Sequence, residues 1–367
     1  MAGTVINRHS GYSFSAGPAM LPDQVLAEIH HDLPDWRGTG FSVLETSQWD
    51  PGLLDMFDRV EADLRALLAI PADYAVFFLH GGASNQFAMV PMNLLPPGGT
   101  AIYLHTGMWS GKAITEARRY GNVRVGASTA EGGFRRVPGP AEVEFDDRAA
   151  YLHYTPSETG HGVQFNFAPE SAGVPLVADA SSALFTTPVD VGRFGVVYAS
   201  TQKNVGVVGM TLVLVRRDLI GRADPRIPTT FDYATHQRTS SRFTTPPVFC
   251  WYVTGLMVAW MSGQGGIDGL CRASKRRADI VYSALDRSDF YDTPVERDSR
   301  ATSSIPFRLA DDDLTDAFLA DAAKAGLHGL RGHASIGGLR ACLFVGMPER
   351  GALALAEFLA DFEARYG

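Results

Sequence analysis

Short apolar runs rich in β-branched and aromatic residues recur along this chain, with stretches of helical character between them. Each run is only four or five residues long, which is typical of a buried strand and too short for most helices. Strands that alternate with helices usually form a parallel sheet, because the helices provide the crossover connections. The sequence therefore predicts an α/β fold with a mainly parallel sheet, with strands at 75–79, 101–104, 151–154, 174–178, 195–199 and 211–215.

Two longer segments place apolar residues at helical spacing, so we expect surface helices that pack one face inward. They are Leu54, Phe57, Leu64, Leu67 and Leu68, and near the end Leu355, Leu359, Phe362 and Tyr366. A glycine-rich stretch, Ser262-Gly-Gln-Gly-Gly266, suits a linker. We therefore expect an N-terminal arm at 1–16, a large domain at 17–261 and a smaller C-terminal domain at 262–367.

The composition argues against several classes of binding partner and of site. The net charge is −8, from 32 Lys and Arg against 40 Asp and Glu, which argues against binding to nucleic acid or to an anionic membrane. Three cysteines without CxxC spacing fit neither a disulfide framework nor a thiolate metal site. No run approaches 18 uninterrupted apolar residues, and residues 1–15 lack the apolar core of an export signal. We expect a cytoplasmic protein with a small-molecule ligand and no metal.

The strongest local signal is Tyr198-Ala-Ser-Thr-Gln-Lys-Asn-Val-Gly206, in which a lysine follows an apolar strand among small and polar residues. A partly desolvated lysine in a cleft can lose its proton near neutral pH, as Schiff-base chemistry requires. Taken alone, Lys203 also fits a solvated loop lysine.

An acidic residue ends another apolar strand in Val174-Pro-Leu-Val-Ala-Asp-Ala-Ser-Ser182. Open α/β sheets bind ligands at that edge, where a carboxylate suits the pyridine nitrogen of pyridoxal phosphate. Asp179 also fits a helix cap.

Two further segments add weight to this interpretation. In His80-Gly-Gly-Ala-Ser-Asn-Gln86 a glycine pair precedes a predicted helix, whose first N–H groups are suited to phosphate. Trp109 follows the strand at 101–104 and fits either an aromatic ring against a cofactor or a half-buried core position.

In this order, the motifs resemble the class V aminotransferases of fold type I, and most closely the phosphoserine aminotransferase family. The resemblance spans nearly the whole chain. It is carried by Phe14-Ser-Ala-Gly-Pro-Ala19, Gly81-Gly-Ala-Ser-Asn-Gln-Phe-Ala-Met-Val-Pro91, His153-Tyr-Thr-Pro-Ser-Glu-Thr-Gly-His-Gly162, Val177-Ala-Asp-Ala-Ser-Ser182, Gln202-Lys203-Asn204, Thr244-Thr-Pro-Pro247 and Gly332-His-Ala-Ser-Ile-Gly-Gly-Leu-Arg340. It implies a large domain with a mainly parallel seven-stranded sheet, a smaller α/β domain, and pyridoxal 5′-phosphate as cofactor.

The same resemblance implies a role for each matching residue. Lys203 would carry the cofactor as a Schiff base, Asp179 would pair with the ring nitrogen, and Trp109 would stack on the ring. Arg340 would bind the substrate α-carboxylate, a task suited to a bidentate guanidinium. The other implied contacts are Thr159 to the ring hydroxyl oxygen, Ala83, Ser84 and Gln202 to the phosphate, and Thr244 and Thr245 to the phosphate of the neighbouring subunit, which implies a homodimer.

The chain departs from the family pattern at two places on the substrate side. Where the family shows Ser-His-Arg this chain has Ser47-Gln48-Trp49, and where it shows Gly-His-Arg this chain has Gly332-His333-Ala334. In the family those arginines are expected to bind the phosphate of phosphoserine or the distal carboxylate of glutamate. We therefore expect an aminotransferase whose specificity is shifted away from phosphoserine, with Trp49 and His333 near the substrate side chain.

Three alternatives stay open. The chain is an ordinary phosphoserine:2-oxoglutarate aminotransferase of serine biosynthesis, or a lyase or elimination enzyme with the same cofactor, or a binding protein that has lost its activity. A desulfurase in particular would need a cysteine on a mobile loop, which the surroundings of Cys250 and Cys342 argue against and which leaves only Cys271 open.

Overall fold

The computed structural model describes residues 11–367, and its centre is a mixed sheet of seven strands. The strands of the molecule are β1 (Tyr12–Ser13), β2 (Tyr74–His80), β3 (Thr100–His105), β4 (Asn122–Ser128), β5 (Leu152–Tyr154), β6 (Leu176–Asp179), β7 (Val196–Ser200), β8 (Met210–Arg216), β9 (Tyr291–Asp292), β10 (Ser304–Leu309), β11 (Leu327–His328) and β12 (Leu339–Cys342). The central sheet has the order β2-β8-β7-β6-β5-β3-β4. All six predicted strands are present in it, and β4 is a seventh that the apolar runs did not reveal.

Five neighbouring strands of this sheet, from β7 to β4, run parallel, whereas β8 is antiparallel to both of its neighbours. The carboxyl ends of β3, β5, β6 and β7 therefore lie along one edge. These ends are His105, Tyr154, Asp179 and Ser200. In parallel α/β sheets this edge is where ligands bind, because the chain leaves every strand there in a loop or a helix N-terminus.

The predicted amphipathic helices at 54–68 and 355–366 are both present, as α2 and α10. The helices are α1 (Asp23–Asp32), α2 (Pro51–Leu68), α3 (Ala83–Leu94), α4 (Met108–Ala117), α5 (Thr201–Asn204), α6 (Tyr233–Arg238), α7 (Val248–Gly263), α8 (Gly266–Leu285), α9 (Thr315–Lys324) and α10 (Glu349–Tyr366). Asp50 caps α2 by accepting the Gly52 and Leu53 N–H groups at 2.8 and 3.2 Å. No helix in residues 11–367 is long and apolar enough to cross a membrane.

Hydrophobic cores cover both faces of the central sheet. Alternate residues of a strand point to opposite faces. On β2, Val76 and Phe78 belong to one core, and Phe77 and Leu79 belong to the other. The first core includes Leu64 of α2 and is the larger. With both faces covered, the edge at the carboxyl ends of the strands is where polar side chains collect.

A third core lies in the C-terminal part of the chain and includes one residue from the opposite end. It is built on α8, α9, α10 and the three-stranded antiparallel sheet β12-β10-β9, and Phe14 is completely buried in it. Strand β1 pairs with β11 in parallel, which brings Phe14 there. Residues 1–10 of the predicted N-terminal arm lie outside the described residues, and the domain boundary at 261/262 stays a prediction.

Candidate active site

Lys203 lies on the short helix α5, directly after β7, at the carboxyl edge of the sheet. Its Nζ donates hydrogen bonds to Thr159 Oγ1 at 2.7 Å and to Ser182 Oγ at 3.0 Å. Burial lowers the pKa of Lys203, and this outweighs the negative charge of Asp179, which acts to raise it. A lysine in this setting gives up its proton more readily than a solvated lysine, as the sequence analysis required.

Asp179 is the last residue of β6 and is only 4% exposed. Its Oδ1 accepts hydrogen bonds from the backbone N–H and the hydroxyl of Ser181, at 3.1 and 2.7 Å. The Ser181 hydroxyl in turn accepts the Ser200 N–H at 3.0 Å, which ties β6 to the end of β7. Burial raises the pKa of Asp179, and the nearby Lys203 lowers it. The carboxylate and the amine therefore share one cleft.

Trp109 is the second residue of α4, the helix that follows β3. The centre of its ring lies 5.5 Å from Lys203 Nζ. Its backbone N–H donates to Glu158 Oε2 at 3.0 Å. An aromatic ring, a carboxylate and an amine from three separate segments thus meet at one place.

The glycine turn before α3 opens at the same edge. Gly81 has a φ of 91°, and a Cβ there would lie 2.2 Å from Asn85 Nδ2, so a larger residue does not fit. The Ala83 N–H donates to Ser200 Oγ at 2.6 Å. Ser84 follows as an exposed residue of the first helical turn, and the Gln202 carbonyl accepts the Ala19 N–H at 2.8 Å.

Arg340 comes from β12 in the C-terminal part of the chain and is 7% exposed. Its Nε is buried and has no hydrogen-bond partner within residues 11–367. The guanidinium is close enough to contribute to lowering the pKa of Lys203. A buried guanidinium donor without a partner is costly unless an anion binds to it.

Other predicted residues do not meet Lys203 within this single chain. Trp49 and Thr245 line a separate groove of about 530 Å³, and Trp49 is 66% exposed. Thr244 is exposed, with its hydroxyl 3.4 Å from His80 Nδ1. His333 lies on the loop before β12, where its Nδ1 is 2.8 Å from Ser335 Oγ. These residues are available to a neighbouring molecule or to a substrate.

Several residues that the sequence analysis did not single out complete the site. Ser182 contacts Lys203, Ser181 holds Asp179, Ser200 holds the glycine turn, and Glu158 holds α4. Ser181 and Ser182 follow Asp179 in the motif, so two hydroxyls directly after a buried acidic residue were an available signal. Glu158 directly precedes Thr159, but nothing in the local pattern showed its partner.

The three cysteines all lie in regular elements, because Cys250 is in α7, Cys271 in α8 and Cys342 in β12. Burial raises the pKa of Cys271 to about 11, so the reactive thiolate is disfavoured there. The candidate desulfurase cysteine is thus in a helix and not on a mobile loop, and that alternative gains no support.

The donor set fits pyridoxal phosphate. Lys203 provides an amine with a lowered pKa, the buried Asp179 provides a carboxylate for a ring nitrogen, and Trp109 provides a flat surface beside them. The start of α3 provides N–H groups of the kind that bind phosphate. The unpartnered Arg340 Nε is suited to the carboxylate of an amino acid.

Comparisons with known proteins agree with this chemistry. Residues 11–350 match the family model of the class-V aminotransferases. The phosphoserine aminotransferase of Laribacter hongkongensis is 47% identical over 97% of this chain and 99% of its own length, and that of Pseudomonas putida is 43% identical over the same shares.

Solved structures give the same result. Phosphoserine aminotransferase from Bacillus circulans subsp. alkalophilus superposes with a TM-score of 0.94 at 39% identity, over 96% of this chain and 98% of that one. The pyridoxal-phosphate-bound enzyme from Trichomonas vaginalis has a TM-score of 0.91 at 30% identity, over 95% and 99%. The predicted fold and cofactor are confirmed, and this chain is a pyridoxal-phosphate-dependent aminotransferase of fold type I that belongs to the class-V family.

Proposed function

We propose that this chain transfers the amino group between phosphoserine and 2-oxoglutarate. The observation that carries the proposal is the set of relatives named phosphoserine aminotransferase, which are 43% and 47% identical over 97% of the chain. The shift away from phosphoserine that the sequence predicted gains no support from these relatives. The open alternative of an ordinary phosphoserine aminotransferase fits better.

In this proposal each residue of the cleft has a separate role. Bound pyridoxal phosphate supplies an electron sink for the pair released when the substrate α-proton leaves. Asp179 would hold a proton on the ring nitrogen, because a carboxylate stabilises a protonated pyridine. Trp109 would lie against one face of the ring, and Thr159 would donate toward its hydroxyl oxygen. Ala83, Ser84 and Gln202 would hold the phosphate from the chain that also provides Lys203.

Lys203 moves the proton. With the substrate amine on the cofactor, Lys203 Nζ would be free, and burial, which lowers the pKa of Lys203, would favour its neutral, basic form. Lys203 Nζ would then accept the α-proton and donate it to the C4′ carbon, the proton shift that transamination requires. Thr159 and Ser182 keep the amine in place through their hydroxyl groups. Arg340 binds the α-carboxylate and so directs the α-hydrogen toward the lysine.

A second candidate rests on a specific observation. Trp49 presents an exposed indole and Ala334 an exposed methyl group where the family pattern has arginines. Two missing charged contacts, at roughly 1.5 to 3 kcal/mol each, would weaken binding of a distal anion considerably. Under this candidate the amino acid has a neutral or weakly polar side chain, and Arg340 still binds its α-carboxylate.

Steady-state kinetics separate the two candidates. We expect the wild type to have a higher kcat/KM for phosphoserine than for any member of a panel of neutral and aromatic amino acids. Lys203→Ala is the negative control. The double variant Trp49→Arg/Ala334→Arg is the matched test of the missing charges. If the wild type prefers a neutral amino acid, and the double variant gains on the order of a hundredfold or more for phosphoserine, the second candidate replaces the first.

A further inference from the structure

Glu158 is a completely buried carboxylate in the loop that follows β5. Both of its oxygens accept hydrogen bonds from the first turn of α4. Oε1 accepts the Ser110 N–H at 2.8 Å, and Oε2 accepts the Trp109 N–H at 3.0 Å. No Lys, Arg or His forms an ion pair with Glu158 among the described residues, so helix N–H groups take the place of a cation.

The local structure is built to admit this carboxylate. The residue before α4 is Gly107, and a Cβ there would lie 2.6 Å from Glu158 Cδ. Glycine therefore leaves the space that the carboxylate fills. Unpaired N–H groups and the helix dipole make a helix N-terminus favourable for an anion. Burial raises the pKa of Glu158, although its hydrogen bonds with Ser110 and Trp109 act to lower it. Because each oxygen accepts an N–H, the geometry matches the ionised form.

Glu158 also connects two parts of the active site. Its neighbour Thr159 accepts a hydrogen bond from Lys203, while Glu158 itself holds the backbone of Trp109. The turn is fixed by the Glu158 N–H to the Val163 carbonyl at 2.9 Å, and by the Gly162 N–H to the Glu158 carbonyl at 2.8 Å. The Glu158-Thr159 dipeptide thus sets the position of the Trp109 indole relative to the Lys203 amine.

We propose that Glu158 is a positioning residue of this aminotransferase, which fixes the Trp109 indole beside the cofactor ring and adds a negative charge that favours a protonated nitrogen at Lys203. The inference rests on the proposed placement of the cofactor between Trp109 and Lys203.

The charges that face Lys203 have known signs. Asp179 and Glu158 favour its protonated form, and Arg340 opposes it. Cys342 would add a negative charge only as a thiolate, and burial raises the pKa of that thiol. Removing the charge of Glu158 therefore leaves Asp179 on one side and Arg340 on the other. The nitrogen of Lys203 should then lose its proton at a lower pH, and the visible absorbance band of the holoenzyme reports that titration.

The test compares Glu158→Gln with two matched variants. Glutamine has nearly the same shape, but it lacks the charge and places an NH₂ group opposite one of the two helix N–H donors. Glu158→Asp keeps the charge and shortens the reach. Ser110→Ala removes a hydroxyl that accepts the Thr106 and Gly107 N–H groups at 3.0 Å each, so it loosens the same turn without changing charge.

Three measurements are made. Hydrogen exchange of peptide 106–112 in the cofactor-free protein should be at least about tenfold faster in Glu158→Gln, because a charged hydrogen bond is lost. The dissociation constant for pyridoxal phosphate should rise by a similar factor. The pH midpoint of the visible band should fall in Glu158→Gln and stay near the wild-type value in Ser110→Ala.

The outcomes are distinguishable. Unchanged exchange and an unchanged pH midpoint in folded Glu158→Gln would overturn the proposal. If Glu158→Gln does not fold, Glu158→Asp decides: faster exchange with a retained pH midpoint supports the proposal, whereas wild-type exchange or a shifted pH midpoint overturns it. Since none of the three measurements uses phosphoserine, a failure of the substrate assignment leaves this result unaffected.

Discussion

At the scale of single residues, the site brings together groups of opposite charge, whose pKa values are shifted in opposite directions. Burial raises the pKa of Asp179 and lowers that of Lys203, so the cleft destabilises the charged form of each. Each nevertheless stabilises the charge of the other. In the proposed function, a cofactor with a protonated ring nitrogen would provide Asp179 with a cation, which would free Lys203 to act as a neutral base.

Asp179→Asn tests this arrangement. An amide cannot stabilise a protonated ring nitrogen, so we expect kcat to fall roughly ten- to a hundredfold, the value of one charged hydrogen bond, while cofactor binding is partly retained. The measurement is the rate of α-proton removal with a deuterated amino acid. Ser181→Ala is the control, because it removes a hydrogen bond to Asp179 and keeps the charge. Turnover near that of the wild type in Asp179→Asn would show that the carboxylate has another role.

Sequence patterns predicted some of these residues and not others. Asp179 ends a strand-like run and Lys203 closely follows another, and the sheet brings the ends of such runs together, so both could be predicted. Glu158 could not be placed, because its partners Trp109 and Ser110 lie 49 and 48 positions away. A contact between residues so far apart depends on tertiary packing, and the spacing of neighbouring residues in the sequence does not indicate it.

At the scale of elements, the strands likewise divide into those that the sequence predicted and one that it did not. The six predicted strands form the interior of the central sheet or its covered edge β2, where both faces are buried and the sequence reads as an apolar run. Strand β4 is the other edge and is mostly half-exposed, so its residues, Asn122–Ser128, mix polar and small side chains. Such a strand gives no continuous apolar signal, and it was missed.

Strand β5 carries a buried histidine that makes stability depend on pH. His153 is 1% exposed, its Nε2 lies 2.8 Å from the Tyr198 hydroxyl, and burial lowers its pKa from 6.5 to about 3. Between those values the unfolded chain binds a proton that the folded chain does not. Stability is therefore lost as pH falls from 6.5 toward 3, by about 2 kcal/mol at pH 5.

Urea unfolding at pH 7 and pH 5 measures this loss. We expect His153→Gln, which cannot titrate, to lose about 2 kcal/mol less than the wild type between the two pH values. His161, whose pKa burial lowers to about 4, remains in both proteins and serves as the internal reference. An equal pH dependence in the variant would mean that His153 is protonated in the folded protein.

At the scale of the whole molecule, the exposed apolar side chains favour assembly. Leu44 is 59% exposed and Trp49 66%, and both line the groove that contains Thr245. Phe243, beside Thr244, is 43% exposed. We predict that a second copy covers this surface, as the resemblance implied, so that the Thr244-Thr245 segment reaches the neighbouring phosphate. The cytoplasmic location also stays a prediction.

Light scattering at assay concentration checks the assembly. We expect a dimer for the wild type, and at least about a tenfold higher dissociation constant for Leu44→Glu, because a carboxylate would be buried in an apolar contact. Leu353→Glu is the matched control, since Leu353 is 45% exposed on α10. An active wild-type monomer would contradict the prediction.

The pairing of β1 with β11 has a consequence for folding during synthesis on the ribosome. Phe14 is synthesised before the other buried residues of its core, which lie between Ala278 and Phe362. The central sheet needs nothing beyond Arg216 for its seven strands, so it has what it requires while the later part is still being synthesised. Phe14 can therefore take its place in this core only after β11 and the residues that follow it have left the ribosome.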